Sequence, residues 1–156
     1  MEVMQMANEF ERRITIEAPA EEIFDYVSDL ERHGEWATNP LMVTLDQPKP
    51  VRVGTTFRSE ANIMGRKTLD SGKVTEWERP LRFAYETEGS AGTVINWFDI
   101  LPDGDRCTVT KGSHNTRLSM FSSFMIPVLR LMAPRWYDRN LRAIKERLET
   151  QRAQAR

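Results

Sequence analysis

The stretch SMFSSFMIPVLRLMAPRWYDRNL, residues 119–141, decides the fold, because it could be a membrane span or a helix of a globular domain. A helix needs about 20 mostly apolar residues to cross a bilayer. The uncharged run here ends at Arg130, and Arg135, Asp138 and Arg139 follow closely. The segment is therefore too short to span. We interpret it as a helix of a globular fold that at most touches a lipid surface.

Two prolines interrupt this stretch, and the helical pattern continues beyond them. Apolar side chains then repeat at helical spacing at Tyr137, Leu141, Ile144 and Leu148. A helix over residues 119–151 would be about 50 Å long, whereas a domain of this size has a radius of gyration of about 15 Å. Because Pro134 cannot donate to the carbonyl of Arg130, we predict a bend or break at Pro134. Pro127 forms either a second kink or the first turn of the main helix.

Upstream of this helix, the pattern predicts one strand, short helices and then a run of strands. FERRITIEAP, residues 10–19, alternates with a period of two, as a half-buried strand does. PAEEIFDYVSDLER, residues 19–32, begins with proline and two glutamates, which favour a helix start. Residues 41–113 divide into short strands separated by turn signals, including the hairpin TVINWFDILPDGDRCTVTKG at residues 93–112. The order predicts an α+β fold with an antiparallel meander.

Composition limits the class of protein. The chain has 156 residues, of which 40% are hydrophobic and 29% charged, as in an ordinary globular domain, so we expect one domain over residues 1–156. The net charge of -1 argues against a general nucleic-acid binder. The lone Cys107 excludes an intramolecular disulfide and fits a reducing compartment. The opening MEVMQMANEFERR lacks the features of a signal peptide, and we expect a cytoplasmic location.

Five segments of the chain carry a family resemblance, namely IEAPAEEIFDYVSDLERHGEW at 16–36, VGTTFR at 53–58, VTEWERPLRFAYE at 74–86, FDILPDGDRCTVT at 98–110 and NLRAIKERLE at 140–149. Taken in this order, they resemble the polyketide cyclase/dehydrase and START-like proteins of the SRPBCC superfamily, which includes birch-pollen-allergen-like proteins. The resemblance covers about residues 10–149. It implies a helix-grip fold, in which a seven-stranded antiparallel sheet wraps around a long C-terminal helix, with two short helices after strand one. It also implies a cavity between sheet and helix for an apolar small molecule.

Aromatic and flexible apolar side chains are the candidate ligand contacts in that cavity, because flat rings and thioethers suit an irregular apolar ligand. They are Trp36, Phe57, Phe83, Tyr85, Trp97, Met125, Leu129, Met132 and Trp136. For any one of them, simple core packing is the alternative. The proline-interrupted helix would form the lid and wall of the cavity.

One strand carries the candidate catalytic residue. In NWFDI, residues 96–100, the inward face must include either Asn96 or Asp99. A buried carboxylate has a raised pKa and can act as a general acid or base, which makes Asp99 the first candidate. The alternative is that Asp99 faces solvent opposite an arginine. Weaker candidates for holding a carbonyl or carboxylate are Tyr26, Arg58, Arg82 and Tyr85.

Metal and cofactor signatures are missing from the sequence. His33 and His114 lie far apart without ligand spacing, and we interpret His33 as a solvated turn residue. Cys107 lies inside an alternating strand, where a packing role is favoured. No Gly-x-Ser-x-Gly elbow or glycine-rich phosphate loop occurs. We therefore expect neither a metal site nor a cofactor.

These observations leave three functional classes. The first is a carrier or sensor that binds an apolar polyketide-, lipid- or aromatic-like molecule. The alternative is a polyketide cyclase, aromatase or dehydratase that uses acid–base catalysis in the same cavity, and the third is an interaction module. We expect no nucleic-acid partner and no stable membrane insertion, and a homodimer is left open. A solvated helix face is favoured over an anionic membrane contact for the arginines at positions 130, 135, 139 and 142.

Overall fold

The computed structural model describes residues 9–63 and 65–156, so the first eight residues, on which the expectation about a signal peptide partly rests, lie outside it. Within this part of the chain, seven strands, one short α-helix, a 3₁₀ helix and one long α-helix follow one another. In chain order they are β1 (Glu9–Ile16), α1 (Ala20–Val27), the 3₁₀ helix (Leu30–Glu35), β2 (Leu41–Leu45), β3 (Thr56–Ile63), β4 (Arg66–Glu78), β5 (Arg82–Gly89), β6 (Gly92–Asp103), β7 (Arg106–Leu118) and α2 (Met120–Gln154).

The strands form one sheet in the order β1-β7-β6-β5-β4-β3-β2, and each neighbouring pair is antiparallel. Strands β2 to β7 follow one another as a meander, and β1 joins the edge of β7. The predicted α+β fold, the seven-stranded antiparallel sheet and the two short helices after the first strand are confirmed. Because β1 pairs with β7, the first and the last strand of the chain lie side by side, next to the C-terminal helix.

Alternation along each strand separates an inner face, which meets the helices, from an outer face. In β6, Phe98 and Ile100 belong to the buried core, together with Leu141 and Ile144 of α2. Helix α1 contributes Ile23, Phe24 and Val27 to the same core, and their helical spacing places them on one face. Its first turn carries Glu21 and Glu22, whose charges favour the positive end of the helix dipole.

Helix α2 runs without interruption from Met120 to Gln154, through both Pro127 and Pro134. The Ser119 hydroxyl accepts a hydrogen bond from the Ser122 amide at 3.1 Å and caps the first turn. A break at Pro134, one of the two predicted alternatives, is therefore wrong, and a bend there stays a prediction. A proline removes one backbone hydrogen bond. The hydrogen bonds on either side of it keep the helix intact when the helix packs against the rest of the domain.

The domain accommodates the full length of α2 without a break, because the N-terminal half of the helix stands outside the core. Phe121, Phe124 and Leu131 are 70%, 84% and 62% exposed, and their spacing places them on one outward stripe. The C-terminal half is anchored instead, with Leu141 and Leu148 buried. Within the described residues, no helix combines the length and the apolar character that a membrane crossing requires.

Candidate functional site

The centre of the inner face carries polar groups among aromatic rings. Residues paired across an antiparallel sheet share one face. Two such rows cross strands β5, β6 and β7, namely Phe83–Phe98–Lys111 and Tyr85–Asn96–Ser113. Because Phe83 and Phe98 belong to the buried core, both rows point towards the helices.

Lys111 is the most unusual member of this group, because its side chain is buried with only 4% exposed. Its ammonium nitrogen lies 5.3 Å from the centre of the Trp36 ring, 4.9 Å from that of Phe98 and 4.8 Å from that of Tyr137. These distances are within the range of cation–π attraction. Burial removes water from the cation and lowers the pKa of Lys111 to about 8. Three ring faces thus surround a cation that sits on the last strand.

His33 lies at the edge of this cage and is buried, so the interpretation of it as a solvated turn residue is wrong. Its ring centre is 4.6 Å from that of Trp36 and 5.6 Å from that of Tyr85. Its Nε2 is 2.8 Å from the carbonyl oxygen of Val27. Desolvation by burial, with the nearby Lys111 charge adding to it, lowers the pKa of His33 to about 4. The ring is therefore neutral near pH 7, and its Nε2–H donates to Val27.

Helix α2 reaches the site through Tyr137, whose hydroxyl shares a short hydrogen bond with the Ser113 hydroxyl. Burial raises the pKa of Tyr137, and burial likewise raises the pKa of Tyr85 on the adjoining row. Both phenols therefore stay protonated near neutral pH. Tyr137 connects the ring cage around Lys111 to the polar row of Ser113.

A second contact fixes the helix over this part of the sheet. The Thr38 hydroxyl, in the segment between the 3₁₀ helix and β2, donates to Asn140 Oδ1 at 2.8 Å. It also lies 3.3 Å from the backbone carbonyl oxygen of Trp136. Asn140 is buried, so this polar contact ties α2 to the segment that follows Trp36.

The far end of the inner face is more open than the centre. Asn96, Val94 and Thr87 share the inner face and are only partly buried. Asp70 of β4 belongs to the same face, because its carboxyl lies against Gly89 and its cross-strand partner is the buried Ser59. Burial raises the pKa of Asp70. The inner face therefore has a caged cation near its centre and a half-buried carboxyl at its open end.

The predicted ligand contacts fall into three groups. Four of them lie buried in the core, namely Trp36, Phe57, Phe83 and Tyr85. Four lie partly buried on α2, namely Met125, Leu129, Met132 and Trp136. The ninth, Trp97, lies on the outer face. Contact of the first eight with a ligand stays a prediction.

Trp97 and Asp99 are predicted site residues that face away from the cage. They alternate with Phe98, and the Trp97 ring covers Gly112 on the outer side of β7. The Asp99 side chain is 44% exposed, and its Oδ1 lies 2.6 Å from Arg82 Nη1. The expectation of a buried, inward carboxylate at Asp99 is therefore wrong, because strand parity places the core under Phe98 and Ile100. The structure instead matches the other alternative, in which Asp99 is exposed to solvent and faces an arginine.

The weaker candidates for holding a carbonyl or carboxylate make contacts with other side chains of the protein. The Tyr26 hydroxyl lies 3.0 Å from Glu35 Oε2, and Arg58 forms an exposed ion pair with Asp46 at 3.1 Å. Desolvation and the hydrogen bond to Glu35 raise the pKa of Tyr26 to about 12. Tyr26 and Tyr85 both belong to the buried core, and Tyr85 also lies in the row with Asn96 and Ser113.

Sequence reasoning missed Lys111, Ser113 and Tyr137. A usable signal was present in β7, because residues of one parity include the buried Cys107 and Val109 and then reach Lys111. A lysine in the inward register of a strand is unusual, since charged side chains rarely become fully buried.

A groove of about 500 Å³ lies elsewhere, on the outer face of strands β2 to β5. Met42 and Leu69 line it together with charged side chains, including Arg58 and Glu60. It belongs to the opposite face from Lys111 and does not contain the polar rows. Among the described residues, no group of three or more His, Cys, Asp and Glu side chains could hold a metal ion.

The sequence of this chain also matches a family model. The model for "Polyketide cyclase / dehydrase and lipid transport" matches residues 7–149. The chain belongs to this family. The suspected resemblance to polyketide cyclase and START-like proteins is thereby confirmed. No curated protein matches the sequence.

Solved structures share the fold at low sequence identity. A START superfamily protein from Mycobacterium smegmatis has a TM-score of 0.75 and 17% identity, covering 92% of this chain and 98% of that one. The Zhui aromatase/cyclase from a Streptomyces species has a TM-score of 0.74 and 13% identity, covering 90% of this chain and 93% of that one. A protein from Thermus thermophilus has a TM-score of 0.71 and 18% identity, covering 92% of this chain and 98% of that one. At these identities the likeness concerns the fold.

Proposed function

We propose that this chain, acting as a single domain, is a cytoplasmic carrier or sensor. It binds an apolar polyketide-, lipid- or aromatic-like molecule between the inner face of its sheet and α2. The observation that carries the proposal is the form of the inner face. Aromatic rings line its centre, and it opens at Thr87 and Val94, which are only partly buried. Ligand sites of this kind combine an apolar lining with a few polar groups that orient the ligand.

Two further features support this location. Met125 and Met132 of α2 are partly buried, and flexible thioethers adapt to irregular apolar ligands. The N-terminal half of α2 is held to the rest of the protein by fewer buried side chains than its C-terminal half. Segments with few buried contacts open at the lowest free-energy cost. This half of the helix is therefore the proposed lid.

Native mass spectrometry of the gently purified protein tests the proposal. A bound molecule should appear as a discrete mass increment that disappears on denaturation and partitions into organic solvent. A protein that carries no increment, and gains none after incubation with mixed apolar extracts, would contradict the proposed binding function.

A second candidate is a polyketide cyclase, aromatase or dehydratase that works by acid–base catalysis in the same place. It is supported by the proton-transfer groups on the inner face, namely Lys111 with its lowered pKa and the Tyr137–Ser113 pair. A polyketide-like thioester incubated with the protein would distinguish the two classes. Turnover to a cyclised product that requires Lys111 supports the enzyme, whereas unchanged recovery of the bound thioester supports the carrier.

A further inference from the structure

We propose that Lys111 and the indole N–H of Trp36 form an anion subsite, which binds the carboxylate of a ligand whose remaining body is flat and apolar. This inference rests on the proposed binding function and narrows it to one chemical class. The inference depends on two hydrogen-bond donors that lack acceptors and belong to one cluster of aromatic rings.

The first donor is the Lys111 ammonium group. Among residues 9–63 and 65–156, neither a side-chain hydrogen bond nor an ion pair to its nitrogen is found, and the rings of Trp36, Phe98 and Tyr137 lie within cation–π distance of it. Ring faces offset only part of the cost of removing an ammonium from water. A buried lysine is normally paired with an acid. The described residues thus supply no counter-charge to Lys111.

The second donor is the indole nitrogen of Trp36. Its Nε1 is buried and has no hydrogen-bond partner within the described residues, although indole N–H groups usually find an acceptor when buried. The Trp36 side chain is 5% exposed, and its ring centre lies 5.3 Å from the Lys111 nitrogen. A carboxylate has two oxygens and can accept hydrogen bonds from more than one donor.

The surrounding charges do not supply that acceptor. The cross-strand neighbour of Lys111 on β1 is Arg12, which forms an exposed ion pair with Asp138 of α2 at 3.6 Å. Burial keeps His33, beside the cage, neutral near pH 7. The adjoining Tyr137 donates or accepts within its bond to Ser113 and stays protonated. The local field is therefore positive, which favours an anion over a neutral or cationic group.

The walls of the subsite indicate what the carboxylate is attached to. Rings of Trp36, Phe98 and Tyr137 surround the ammonium. Aromatic faces and edges pack favourably against another flat ring. An aromatic carboxylate therefore fits this enclosure better than a phosphate or sulfate, whose larger charge would need further donors.

Isothermal titration with naphthalene carboxylate and naphthalene carboxamide tests the subsite, because the two probes match in size and differ in charge. We expect the wild-type protein to prefer the carboxylate. Lys111→Met should weaken carboxylate binding by about 10- to 100-fold, since hydrogen bonds to charged groups are lost, and should leave carboxamide binding within about twofold. Lys73→Met, at an exposed lysine on the outer face, is the matched control and should change neither affinity.

A second variant and a pH series keep the test independent of folding defects. Trp36→Phe keeps an aromatic ring at this position but removes the five-membered ring with its N–H, so it should weaken carboxylate binding more than carboxamide binding. In the wild type, carboxylate affinity should fall as pH rises through about 8, where Lys111 loses its proton, while carboxamide affinity stays flat. Carboxylic acids remain ionised throughout this range.

The outcomes separate the subsite from the proposed function. Equal binding of the two probes, unaffected by Lys111→Met and by pH, overturns the anion subsite and leaves apolar binding in place. Failure of both probes to bind a protein that also carries no ligand in mass spectrometry overturns both proposals.

Discussion

The ammonium nitrogen of Lys111 lies 4.8 Å from the centre of the Tyr137 ring, so the last strand and the C-terminal helix meet at a buried cation. The same tyrosine is hydrogen-bonded to Ser113, two residues further along the strand. One helical side chain thereby contacts both a charged and a polar residue of β7. The arrangement makes the stability of the protein depend on the protonation of Lys111.

We expect the free energy of unfolding to rise with pH between about 8 and about 10.5. The pKa of Lys111 is lowered from 10.5 to about 8 in the folded protein. In this window the unfolded chain binds the proton and the folded chain does not, so raising the pH favours folding. Urea denaturation across the window measures the effect. Lys111→Met should remove this part of the rise, and an identical pH dependence in both proteins would contradict it.

The protonation of His33 should limit the stability of the protein at acidic pH. Its pKa falls from 6.5 to about 4 in the folded protein. The unfolded chain therefore binds more protons between these values, and acidification from pH 6.5 to 4 destabilises the fold. His33→Gln should make denaturation midpoints less sensitive to pH in this range. A steeper acid sensitivity in the variant than in the wild type would be inconsistent with a buried, neutral imidazole.

The pair of Tyr137 and Ser113 should be energetically coupled. Removing one partner of a hydrogen bond costs about 0.5–1.5 kcal/mol, and more where the remaining group is buried. We expect Tyr137→Phe and Ser113→Ala each to lower the free energy of unfolding, with the double variant less destabilised than the sum. A double-mutant cycle by chemical denaturation measures this coupling. Strict additivity would show that the two hydroxyls act independently.

Asp99 should be dispensable for ligand binding. Because it forms a half-exposed ion pair with Arg82 on the outer face, Asp99→Asn should cost at most about 1 kcal/mol of stability. Affinity for any inner-face ligand should stay unchanged, as titration calorimetry would show. A large loss of affinity in a folded Asp99→Asn variant would mean that the outer face takes part in binding.

Pro134 should destabilise the continuous helix. Pro134→Ala restores a backbone N–H that can donate to the carbonyl of Arg130, so we expect a gain of about 1–3 kcal/mol. Thermal unfolding measures it, and amide exchange around residue 134 should slow. Pro48→Ala, in the exposed loop after β2, is the control and should give no comparable gain. Loss of stability at Pro134→Ala would show that the proline is required for packing.

The fold could be predicted because its signals are local and repeated. Alternation in FERRITIEAP and in the hairpin around PDGD defines strands within a few residues of one another, and the order of these elements limits the topology. The continuity of α2 could not be predicted in this way. Whether Pro134 breaks the helix depends on the packing of α2 against its neighbours, which the local sequence does not contain.

The candidate site was predicted only in part, and the reason is strand parity. NWFDI alternates whichever face is buried, so the local pattern could not place Asp99 inside or outside. Pairing with β5 and β7 settles it, because Phe98 lies between Phe83 and Lys111 on the inner face. The Lys111 cage likewise joins side chains from the 3₁₀ helix region, β6, β7 and α2. These are distant in sequence and meet only in the folded chain.

We propose that an apolar ligand enters at the open end of the inner face, and two neighbouring residues on β5 offer a direct test. Thr87 is partly buried on the inner face, and Glu88 is exposed on the outer face. Thr87→Phe and Glu88→Phe add similar volume to opposite sides of one strand. Titration of both variants with an environment-sensitive apolar fluorophore measures the affinity. We expect Thr87→Phe to weaken binding by about tenfold or more, while Glu88→Phe binds as the wild type does. Equal affinity in all three proteins, or a loss confined to Glu88→Phe, would contradict an inner-face site.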